Sequence, residues 1–105
     1  MHEAVYEKLK QVARVRSVIT YGEIASLAGL GITNPRHPRL AQILAEICAY
    51  EVQQGHPMLG AVVVRKADNI PGEGFFKLAR SLGRFQGDDK LAFWNGELDK
   101  VYNYW

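Results

Sequence analysis

At 105 residues the chain has room for one domain with its own core, and its 48% apolar and 23% charged make-up excludes a disordered, collagen-like or low-complexity protein. The formal net charge of +2 is too small to mark a strongly basic nucleic-acid binder by itself. The longest apolar run, Ala61–Val64, falls far short of the roughly 20 residues that a membrane helix needs.

The opening MHEAVYEKLK lacks the apolar stretch of a secretory signal, and a lone cysteine, Cys48, has no partner for an internal disulfide. Both lead to the expectation of a cytoplasmic protein with a single domain over residues 1–105. Val5, Leu9, Val12 and Ala13 recur at helical spacing between Glu and Lys, which predicts a first amphipathic helix over 3–15. Thr20 and Glu23 then form the T-x-x-E of a capping box, so a short second helix is expected from Tyr21. It should bury Ile24, Leu27 and Ala28 and stop at Gly29 or Gly31.

Pro35 or Pro38 suits the first turn of a third helix, with Asn34 or His37 as its cap. Its apolar stripe is Leu40, Ile43, Leu44 and Ile47, its outer face carries Gln42, Glu46 and Gln53, and Gly55 closes it. Cys48 falls on the inner stripe, where a thiol serves as a small buried hydrophobe. MLGAVVVRK is β-branched and bounded by Pro57 and the turn ADNIPGEG, so it reads as a strand. FFKLARSLG reads as a brief helix closed by Gly83. From Asp88 a last helix is expected to bury Leu91, Trp94, Leu98, Val101 and Trp105, with Gly96 interrupting it. The fold class is therefore mainly α with a small β element. Three helices followed by a strand and a turn is the order of a winged helix-turn-helix, with 62–75 as its hairpin wing and a C-terminal helix appended.

Charge is unevenly spread. Through Arg39 there are six cations (Lys8, Lys10, Arg14, Arg16, Arg36, Arg39) against Glu3, Glu7 and Glu23, and Arg36 and Arg39 sit where a recognition helix presents its side chains. The stretch YEKLKQVARVRSVITYGEIASLAGLGITNPRHPRLAQIL resembles the DNA-binding half of the O6-alkylguanine-DNA alkyltransferases and alkyltransferase-like proteins. The closest part is Ile19-Thr20-Tyr21-Gly22-Glu23-Ile24-Ala25-Ser26-Leu27-Ala28-Gly29, which follows the family's T-x-Y-G-x-I-A-x-L-A-G closely from Tyr21 onward, with Ile19 in the threonine position, within a likeness over roughly residues 5–65. The resemblance implies that Tyr21 approaches the DNA backbone beside a flipped nucleotide. It also implies that Arg39, or in a competing assignment Arg36, fills the gap left in the stack, offsetting part of the unstacking cost.

The family's Pro-Cys-His-Arg-Val segment is not kept. Laid on HPMLGAVVVRK, the cysteine falls on Leu59 or Gly60 and the histidine on Gly60 or Ala61, so no thiolate can attack an alkyl carbon there. The implied function is a non-catalytic DNA-binding protein of the alkyltransferase-like type, linked to DNA repair or damage recognition, with duplex DNA as partner. Its candidate contacts are Tyr21, Arg36, Arg39, Gln42, Arg65 and Lys66. The PGEGFF turn lacks the Lys-Ser/Thr of a phosphate loop, and Glu73 between its glycines would repel an anion. His2, His37 and His56 lack ligand spacing, so neither a metal nor another cofactor is expected. Asp88-Asp89 is helix-start charge, and no serine or threonine has a base and orienting acid beside it, so no enzyme is expected. An alternative from another class is a protein-interaction module, or a homodimer, joined through the aromatic tail of Trp94, Tyr102, Tyr104 and Trp105.

Overall fold

A computed structural model describes residues 1–30 and 38–105 of the chain. In chain order these form α1 (Glu3–Arg14), β1 (Ile19–Thr20), α2 (Tyr21–Leu27), α3 (Pro38–Gln53), a 3-10 turn (Leu59–Val62), β2 (Val63–Val64), α4 (Glu73–Ser81) and α5 (Lys90–Tyr104). The protein is mainly helical with one small sheet, as the apolar spacing predicts. Among the described residues no helix is long and apolar enough to cross a membrane.

The helix ends follow local chemistry. The His2 ring accepts the Val5 N–H and caps α1. The Thr20 hydroxyl accepts the Glu23 N–H at 3.2 Å and donates to the Glu23 carboxylate at 3.1 Å, so the box closes through the hydroxyl. Asp89 caps α5 by accepting the Ala92 N–H. Gly29, Gly55 and Gly83, at φ of 76°, 78° and 75°, follow α2, α3 and α4 in the left-handed region that side chains disfavour. The third helix starts at Pro38 among the described residues, while Asn34, Pro35 and His37 lie outside them.

The segment read as a strand differs most. Met58–Val64 is the centre of the core, buried throughout, yet only Val63 and Val64 extend, and they pair in parallel with Ile19 and Thr20. The residues before them coil into the 3-10 turn, wedged between α1, α3 and α5. Buried backbone groups need partners, and α5 supplies them. Glu97 accepts the Met58 N–H at 2.8 Å, and the Trp94 ring N–H donates to the Ala61 carbonyl at 2.8 Å. Glycine is required within the turn, since a Cβ on Gly60 would stand 2.7 Å from the Cys48 sulfur.

The hairpin expected over 62–75 is not formed. β2 runs into a turn closed by Arg65 N–H to the Ile70 carbonyl and Asn69 N–H to the Arg65 carbonyl, and α4 begins at Glu73. Two burial expectations are also corrected. Leu27 is 44% exposed and Leu91 is 51% exposed, while Glu97, a charged residue, occupies the inner face of α5. Leu27 is the last residue of a helix of only seven residues.

Candidate functional site

A cavity of about 730 Å³ lies between α3 and α4. Small side chains create it. Ala41, Leu44, Ala45 and Cys48 line one wall along α3, and Phe75 and Leu78 line the other along α4. Gly60, Tyr21 and Gly72–Gly74 at the start of α4 complete the lining, in which Arg65, Glu73 and Lys77 carry the charges. An apolar interior with a few polar groups at its edge is the usual form of a small-ligand site.

Tyr21, the residue that the resemblance puts beside the DNA backbone, lies at the start of α2 with its ring largely covered. It is only 8% exposed, and its hydroxyl accepts the Gly72 N–H at 2.8 Å, tying the start of α2 to the turn before α4. Burial pushes its phenol pKa up, against the lowering effect of that hydrogen bond. Its role here is to wall the cavity, and any contact with a ligand comes from inside it. The Cys48 thiol, 1% exposed and on the inner stripe as expected, is pushed up to about 12 by burial, which makes thiolate chemistry at neutral pH negligible.

The expected contact residues fall at two places. On α3, Arg39 and Gln42 are exposed at the N-terminal end. The Arg39 charge acts on Glu46 and on the N-terminal ammonium, which themselves pair at 2.7 Å. Across the cavity Arg65 is turned toward Asp68, with Nε at 3.2 Å and an amino nitrogen at 2.6 Å from the carboxylate. Desolvation raises the Asp68 pKa, but the Arg65 and Ile70 hydrogen bonds outweigh it and the carboxyl titrates below its usual range. Arg65 is therefore a partly neutralised cation. Lys66 is exposed beside it, and Lys90 pairs with Glu73 at 2.8 Å, lowering the Glu73 pKa. Arg36 lies outside the described residues.

Tyr21 and Arg65 thus both line one cavity, while Arg39 and Gln42 are outside its lining, in the first turns of α3 on either side of Ala41 in sequence. Sequence reading missed Lys77 and the cavity itself. The available signal was the pair Ala41 and Ala45, one helical turn apart on the face that also bears Cys48, which leaves α3 too thin to meet α4 there. The chain matches no protein-family model, no curated protein and no solved structure.

Proposed function

We propose that this protein binds duplex DNA without catalysis, in the manner of the alkyltransferase-like proteins, with α3 toward the groove and the cavity receiving an extruded base. One observation carries the reading: the apolar cavity includes the cations Arg65 and Lys77 in its lining, and its Ala41 lies in the first turn of α3 next in sequence to exposed Gln42 and two residues from exposed Arg39, so positive charge and a base-sized hollow adjoin. A base drawn from the stack loses contacts on both faces, and an apolar slot between Phe75, Leu78 and the α3 alanines replaces them. Backbone contacts would come from Arg39, Lys66 and Lys77, and from Arg65 after it exchanges Asp68 for a phosphate. The winged helix enters this reading without its hairpin, the turn over 65–72 standing in its place.

The rival, an interface built on the C-terminal aromatics, has weaker support, because Trp94, Tyr102 and Trp105 are partly buried against the core. A gel-shift comparison of plain, mismatched and O6-alkylated duplexes at two salt concentrations tests the proposal. With four cations engaged, affinity should fall roughly a hundredfold between roughly 50 and 200 mM salt. Filling the cavity with Ala45→Phe should remove any preference for the alkylated duplex. Binding to none of the duplexes, at either salt concentration, would overturn the reading.

A further inference from the structure

A second polar cluster lies apart from the cavity, where the end of α3 meets the end of α5. Glu51 is fully buried in the last turns of α3. One of its carboxylate oxygens accepts the Tyr6 hydroxyl from α1, and the other lies 2.5 Å from His56 Nδ1. The far ring nitrogen of His56, Nε2, is 2.7 Å from the hydroxyl of Tyr104. Tyr104 is 49% exposed.

Hydrogen-bond chemistry fixes the direction of this chain. A carboxylate only accepts, so the neutral imidazole carries its proton on Nδ1 and leaves Nε2 as an acceptor for the Tyr104 proton. A buried acid thus orients a base, and the base faces, at hydrogen-bond distance, the hydroxyl of a half-exposed tyrosine. That is the arrangement by which a weak oxygen nucleophile is activated. The Trp105 indole N–H, in a ring 4.9 Å from that of Tyr104 and 6.2 Å from that of His56, is buried without a partner among the described residues. It leaves a spare donor beside the relay. Tyr6, with its phenol pKa raised by burial and by Glu51, stays protonated and serves only to hold the carboxylate.

We propose that Glu51, His56 and Tyr104 form an acid–base–nucleophile relay, and that the Tyr104 phenol takes an acyl group from activated esters. The Tyr104 oxygen forms the new bond to the carbonyl carbon while its proton passes to His56 Nε2. The ester's alcohol or phenol leaves with the electron pair of the broken C–O bond and recovers that proton. The product is an O-acyl tyrosine, with no oxidant or metal needed. Glu51 is a positioning residue here, since it acts through His56. The proposal does not depend on the DNA reading.

The probe is p-nitrophenyl acetate, with the acetylated positions identified by peptide mass spectrometry. Tyr50 is an internal control, being similarly exposed at 41%. In the folded chain Tyr104 should acetylate roughly tenfold or more faster than Tyr50, releasing about one p-nitrophenolate per chain in the fast phase. Urea should erase that preference. Glu51→Gln keeps an acceptor for Tyr6 but presents an amide donor to His56 Nδ1, moving the ring proton to Nε2, and should reduce the Tyr104 rate to that of Tyr50. Equal rates at Tyr104 and Tyr50 in the folded wild type would overturn the proposal. So would acetylation at His56 instead of Tyr104, or an unchanged rate in a folded Glu51→Gln protein.

Discussion

Among the described residues two glutamates are buried, Glu51 and Glu97, and they are held by partners of different kinds. Glu97 meets the Arg84 guanidinium through both oxygens, at 2.8 and 2.9 Å, and also accepts the Met58 N–H. Its charge is balanced by a group that never releases its proton, so the site is a fixed pin between α5, the loop after α4 and the central turn. Glu51 is held by a phenol that keeps its proton and by an imidazole that can pass one on. One carboxylate ties the fold together, and the other sits in a chain that ends at the surface. Burial alone does not separate a structural acid from a reactive one; the partners do.

The same conservative substitution at each position sharpens that contrast. Glu97→Gln removes the counter-charge of Arg84 and weakens the acceptor for Met58, and it should cost about 2 to 3 kcal/mol in urea denaturation. Arg84 stays partly open to water, which keeps the loss below that of a fully enclosed pair. Glu51→Gln leaves each partner with a hydrogen bond, so its cost should be about 1 kcal/mol or less. Comparable losses at the two sites would show that Glu51 carries as much structure as Glu97 and would break the comparison.

How far the sequence reached depends on the range of the interactions involved. α1, the Thr20–Glu23 box and the glycines after α2, α3 and α4 rest on contacts within a few residues, and they were readable. Met58–Val64 was not. Its β-branched residues favour a strand, but the turn is held by Glu97, 39 residues on from Met58, and by Trp94, 33 residues on from Ala61. The burial of Tyr21 likewise depends on Gly72, 51 residues away. Glu51 and His56 are five apart, a spacing that matches no helix face, and Gly55 turns the chain between them; Tyr104 comes from 48 residues beyond His56. Local pattern carries the helices, whereas both polar clusters are products of tertiary packing.

The proposed nucleic-acid partner would meet the molecule at the first turns of α3 and at the hollow that Ala41 lines against α4. Backbone-amide chemical-shift mapping during titration with a short duplex tests this most directly. The expected result is a set of shifted resonances at Arg39, Gln42, Lys66 and Gly72–Phe75 that fades as salt is raised. Shifts confined to Tyr102–Trp105, or none at saturating duplex and low salt, would contradict it.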